Sequence, residues 1–151
     1  MEPAIVPAER PSRLPLVIHI LVILLLLLAF VSGVLIWYGQ NVNSGADEPT
    51  FNIRPWVLLH GYLNPLLCVM FGYLLCQHIR YGWAMRANWV TGLFMELVYA
   101  VLILTGASLY YSPESWRTVI LLIHHYTGIA VPVAIGLHWI TSLIWVKRLP
   151  K

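Results

Sequence analysis

Four long apolar runs alternate with short polar connections along this chain. Residues 14–38 are a nearly unbroken series of Leu, Ile and Val that closes on Trp37 and Tyr38. Residues 39–54 are polar, rich in Asn, Gly, Ser and acids. A second apolar run, 55–79, opens at Pro55, a residue suited to the first turn of a helix. Residues 80–87 are short and basic, 88–110 form the third run, and 111–117 carry the turn signal Ser112-Pro113-Glu114. The fourth run covers 118–146. Each run has the roughly 20 apolar residues that a helix needs to cross a bilayer. The pattern predicts an all-α integral membrane protein, an antiparallel four-helix bundle with short loops. Its membrane domain spans 14–146, between polar tails at 1–13 and 147–151.

Composition agrees. Of 151 residues, 60% are hydrophobic and only 10% charged, and the mean hydropathy is +0.77. A soluble domain of this length has too little interior to hide so much apolar surface. The spans use nearly all of the chain, so no separate catalytic domain is expected. A nucleophile–base constellation, a Gly-rich phosphate loop and a carboxylate pair are all missing from the sequence. Substrate chemistry by this chain alone is therefore not expected.

The net charge of +3 comes from basic residues beside the spans, not from a basic helix with interleaved aromatics, so nucleic acid is not an expected partner. Those charges set an orientation instead. Arg10, Arg13, Arg80, Arg86, Lys147, Arg148 and Lys151 fall on one side, and only Arg54 and Arg117 on the other. The positive-inside rule puts both termini in the cytoplasm. Cys68 and Cys76 share one span, about 12 Å apart along a helix, too far for a disulfide. No C-x-x-C-H occurs, which excludes covalent c-type haem. The first apolar run is too long for a cleavable signal and lacks its small-residue cleavage site.

All six histidines lie within or at the edge of a span. Ionisable residues inside a membrane are costly and mark functional sites. His60 and His124 lie five and six residues into the second and fourth spans, about 8–9 Å below the outer edge. His19 lies about 8 Å, and His138 about 12 Å, from the inner edge. His124 and His138 are fourteen residues apart, which leaves them within about 40° of one face and roughly 21 Å apart along the axis. One helix can thus offer imidazoles to two sites stacked across the bilayer, and paired axial imidazoles are a way to hold haem iron. Small residues that leave room for a porphyrin accompany them: Gly33, Gly128 and Gly136.

One His in the first span, one in the second, none in the third and two fourteen apart in the fourth resembles a known group. The chain looks like the di-haem cytochrome b membrane subunits of formate dehydrogenases and membrane-bound nickel–iron hydrogenases. The resemblance covers the whole bundle and rests on topology and His spacing. It implies two b haems, the outer held by His60 and His124 and the inner by His19 and His138. It also implies a multi-pass protein of the cytoplasmic membrane of a prokaryote. Such a subunit takes electrons from an extracytoplasmic iron–sulfur or multihaem partner and exchanges them with quinone near the cytoplasmic side.

Two histidines remain over. His78 rivals His19 for the inner iron or serves near a quinone headgroup, and His125 replaces His124 if Pro132 rotates the fourth helix. Glu96, the one acid well inside a predicted span, is a candidate with His78 for a quinone or proton site. Two other readings stand beside the cytochrome. A membrane anchor with one haem or none needs only part of the His set. A His-relay transporter needs polar residues between the two His levels, where residues 24–28 and 129–135 are apolar except for Pro132.

Overall fold

In lipid every backbone N–H and C=O must find its partner within the segment, which leaves helices as the economical solution for apolar runs of this length. The computed structural model describes residues 15–86 and 88–147, and most of these are helical, joined by the connection 44–53 and by shorter turns and without a strand. Helix α1 spans Leu16–Asn43, α2 Arg54–Leu74, α3 Arg80–Ala84, α4 Trp89–Tyr111 and α5 Glu114–Lys147. A π-helical turn, Leu75–Ile79, joins α2 to α3 without a break. Four helical segments are therefore long and apolar enough to cross a membrane, of 28, 31, 23 and 32 residues. This makes the chain a multi-pass membrane protein. The tail at 1–13 lies outside the described residues, and of 147–151 only Lys147, which closes α5, lies within them.

The second span departs from the reading of the sequence. It continues to Ala84 instead of stopping at Ile79, because Arg80 does not end a helix. Its side chain can reach toward the interface while its backbone stays helical. The chain turns only where Arg86 and Asn88 adopt left-handed backbone angles, φ 48° and 50°. Asn tolerates that region better than most residues, and Asn88 serves as the N-cap position of α4. Elsewhere prolines mark the elements. Pro15 precedes α1, Pro55 stands in the first turn of α2, and Pro65 and Pro132 lie inside α2 and α5.

The helices associate as two pairs. α1 packs along α2 and α4 along α5, while the pairs meet only sparsely, α1 with α5 and α2 with α4. Val98 of α4 with Val131 and Ala134 of α5 forms a buried cluster, flanked by Met95, Leu102 and Ile135. The pairs are braced against each other near their middle by Phe71 of α2 and Tyr99 of α4. These rings stack with centroids 4.8 Å apart and planes 10° from parallel. Outward-facing residues such as Val69, Val90 and Leu104 are exposed for contact with lipid.

The connection after α1 folds back on the helix end. Asn43 donates its amide to the Phe51 carbonyl at 2.8 Å and accepts the Phe51 N–H at 3.0 Å. Phe51 in turn meets Tyr38 edge-on. Gly39 is buried beneath this clip, and a Cβ there would overlap Phe51 and Ile53. Gly39→Ala is expected to lower stability by about 1–3 kcal/mol through overpacking. Thermal unfolding in detergent checks this, and an unchanged midpoint would mean that the loop does not hold this packing.

Candidate functional site

Two histidine pairs face each other across the gap between the helix pairs. His60 of α2 opposes His124 of α5, with ring centroids 6.1 Å apart and planes at 84°. His78, in the π-turn that extends α2, opposes His138 of α5, with centroids 6.2 Å apart and planes at 85°. Along the second span His60 precedes His78, and along α5 His124 precedes His138, so the two pairs follow in one order.

The supporting residues bear on which ring nitrogen carries the proton. The Ser32 hydroxyl of α1 donates to the Leu28 carbonyl at 2.7 Å and lies 2.9 Å from Nδ1 of His60. With its proton engaged there, the serine oxygen can only accept from Nδ1–H. Thr105 of α4 repeats the arrangement, donating to the Val101 carbonyl at 2.6 Å and standing 2.9 Å from Nδ1 of His124. Thr91 of α4 lies 3.1 Å from Nδ1 of His138 and donates to Oδ1 of Asn88 at 2.9 Å. Asn88 donates its amide to the His138 carbonyl at 3.0 Å. Thr141 stands 3.0 Å from Thr91 and donates to the Leu137 carbonyl at 2.8 Å. For His60 and His124 this assigns the proton to Nδ1. At His138 the Thr91 oxygen at 3.1 Å is the closer partner of Nδ1 than the Asn88 amide nitrogen at 3.4 Å and gives the same assignment, so the lone pair of Nε2 is left for a ligand.

A glycine follows each of these hydroxyl residues and makes room for the ring. A Cβ at Gly33 would stand 3.3 Å from Cε1 of His60, at Gly106 3.4 Å from Cε1 of His124, and at Gly92 3.7 Å from Cε1 of His138. Ser32-Gly33, Thr105-Gly106 and Thr91-Gly92 are thus the same device used three times. The sequence pattern singles out Gly33 but not Ser32, Thr91, Thr105, Gly92, Gly106 or Asn88. A signal for two of them is present all the same: Thr91 and Thr105 are fourteen residues apart, the spacing of His124 and His138 on the neighbouring helix.

The sequence reading puts His19 opposite His138. The ring across from His138 belongs to His78, not His19. The longer helix explains this, since His78 lies six residues before the helix end at Ala84, about 9 Å from it, instead of at the edge. His19 is exposed on α1, within electrostatic reach of His78. His125 turns away from the gap and packs on Trp37 of α1, centroids 5.3 Å apart. A Cβ on Gly128 would lie 3.9 Å from Leu102, and one on Gly136 would meet nothing within 4 Å. Glu96 accepts a hydrogen bond from the indole N–H of Trp83 at 3.0 Å, which ties α4 to α3.

Haem can be tested against this geometry. A metal–imidazole bond of about 2.0 Å and a distance of about 1.1 Å from ring centre to nitrogen separate two axial rings by roughly 6.2 Å. Both pairs stand at that separation. Among the described residues no group of three or more His, Cys, Asp or Glu side chains could hold a metal ion. Two protein ligands are too few for a structural zinc, but they suffice for an iron whose other four ligands come from a porphyrin. Beside the His138 pair, Asn88, Thr141, Ile144 and Trp145 line an open cavity of about 340 Å³. No family model, curated protein or solved structure matches the chain.

Proposed function

We propose that this protein is a di-haem b-type cytochrome subunit that carries electrons across a membrane, between a redox partner on the extracytoplasmic side and quinone. The observation that carries the reading is the twofold occurrence of opposed imidazoles at 6.1 and 6.2 Å, in one order along the same two helices. His60 and His124 hold the outer haem, and His78 and His138 the inner one. Bound haem supplies one-electron redox chemistry at each level. The chain's own residues engage Nδ1 of His60, His124 and His138 through Ser32, Thr105 and Thr91, which leaves Nε2 of each as the nitrogen that would meet the iron.

The shared order along α2 and α5 supports an up-down antiparallel bundle, in which these two helices run the same way. The excess of Lys and Arg beside one set of ends supports cytoplasmic termini. A prokaryotic cytoplasmic membrane and an iron–sulfur or multihaem partner are carried over from the resemblance to the respiratory cytochrome b subunits. The cavity beside His138 is within the range of small-ligand sites. Its polar Asn88 and Thr141 beside apolar Ile144 and Trp145 suit a quinone ring with two carbonyls and an apolar tail. Glu96, held by Trp83, is the carboxyl we assign to proton exchange on the same side.

The test is the protein purified in mild detergent, with pyridine haemochrome quantitation and low-temperature EPR of the oxidised form. Two b haems per chain are expected. Ring planes near 84–85° apart should give strongly anisotropic low-spin signals instead of the rhombic signals of parallel imidazoles. A preparation without haem, from cells making haem normally, would overturn the reading.

A further inference from the structure

We infer that Ser32, Thr105 and Thr91 are positioning residues that set the redox potentials of the two haems through the axial histidines, each acting on one haem only. The inference rests on the di-haem reading above. Its starting point is the repeated pairing of a hydroxyl residue with a glycine on the helix that backs each ligand. In every case the hydroxyl oxygen meets Nδ1, at 2.9, 2.9 and 3.1 Å. In every case its own proton has another acceptor within 3 Å, the carbonyls of Leu28 and Val101 and the side-chain oxygen of Asn88.

That second bond matters chemically. A neutral hydroxyl could either donate to Nδ1 or accept from it, and the two choices put opposite tautomers on the ring. Donation would leave the proton on Nε2 and block the iron. With the hydroxyl proton taken up by the Leu28 or Val101 carbonyl, only acceptance remains at His60 and His124. At His138 Thr91 at 3.1 Å is a closer partner of Nδ1 than the Asn88 amide at 3.4 Å, so the ligating tautomer is set before any haem arrives. Accepting from Nδ1–H also raises the electron-donating power of Nε2, the usual effect of a partner behind a metal-bound imidazole. A stronger donor favours ferric over ferrous iron and lowers the potential. Loss of the hydroxyl therefore raises the potential of the haem concerned.

The arrangement is selective. Ser32 and Thr105 back the two ligands of one pair and Thr91 a ligand of the other, with Thr91 and Thr105 about 21 Å apart along α4. His78 is the fourth ring of the two pairs. It sits in the π-turn with His19 as its electrostatic neighbour.

The experiment is a spectroelectrochemical titration of the full chain in detergent, with haem content measured on each sample. Ser32→Ala and Thr105→Val should each raise the outer potential, seen as a severalfold higher reduced-to-oxidised ratio at a fixed applied potential, and leave the inner haem unmoved. Thr91→Val should do the reverse. Thr105→Ser, which restores the hydroxyl, should return the outer haem to its original value. If Thr105→Val sheds the outer haem, retention by Thr105→Ser with an unshifted potential supports the same assignment. Two haems with potentials unmoved in all three variants, or moved equally at both levels, would overturn it. A parent protein without haem would instead remove the di-haem reading underneath.

Discussion

Replacing His78 by Ala should leave the protein with one haem per chain, while replacing His19 by Ala should leave it with two. On the di-haem proposal the two histidines are rivals for one iron. Counting from the sequence, His19 is the better partner for His138, because a span that ends at Ile79 puts His78 almost in the headgroups. In the structure the helix runs on through the π-turn to Ala84, and the His78 ring stands 6.2 Å from that of His138. The π-turn contributes as well. It adds one residue to a turn, which rotates the rest of the helix by about 100° relative to an uninterrupted α-helix. Such turns recur at functional sites because they re-aim a side chain without ending the helix. A b haem is held by its axial bonds and by packing alone, so an iron that loses one of two imidazoles loses much of its hold. The inner haem should be lost from His78→Ala, with the outer spectrum and its EPR signal intact. The reverse pattern, one haem in His19→Ala and two in His78→Ala, would restore the pair read from sequence and reduce His78 to an interfacial residue.

A single sequence carries some of this picture and hides the rest, for physical reasons. Helix count is legible in the lengths of the apolar runs, since nothing else satisfies a backbone in lipid. The meeting of His60 with His124 is legible because both lie a similar number of residues from polar loops on the same side, and because α2 and α5 are regular over that stretch. His78 is hidden by a boundary. An Arg at a span end looks like an exit from the membrane, but a long side chain can reach the interface from inside a helix. The partners behind the ligands are hidden for another reason. Ser, Thr and Gly are common in membrane helices as contact residues, so a Thr-Gly dipeptide attracts no notice alone. Only the match between the fourteen-residue spacing of Thr91 and Thr105 and that of His124 and His138 sets them apart. His125 is separable from His124 by azimuth, and the structure puts its ring on Trp37.

Gly106→Leu should remove the outer haem while the helices and the inner haem remain. A Cβ at this position would lie 3.4 Å from Cε1 and 3.9 Å from Nδ1 of His124. Ala therefore sits at the edge of ordinary contact and should be tolerated with a small spectral shift. The further carbons of Leu need the space that the imidazole fills. The ring must swing away, which breaks its bond to Thr105 and changes its placement opposite His60. Restoring the ring against that obstruction costs about 1–3 kcal/mol of overpacking, and the displaced Nδ1–H loses a partner worth about 1 kcal/mol. The backbone works in the opposite direction, because Leu is a better helix former than Gly by roughly 0.8 kcal/mol. Loss of haem through general unfolding is thus not expected, and helical circular dichroism should be unchanged. His138 has its own glycine, Gly92, about 21 Å along α4, and should keep its haem. Haem quantitation would then read two per chain for the parent and for Gly106→Ala, and one for Gly106→Leu. If Gly106→Leu retains both haems with the outer signal unmoved, the His124 ring does not rest against α4, and the outer site must be built from another face of α5.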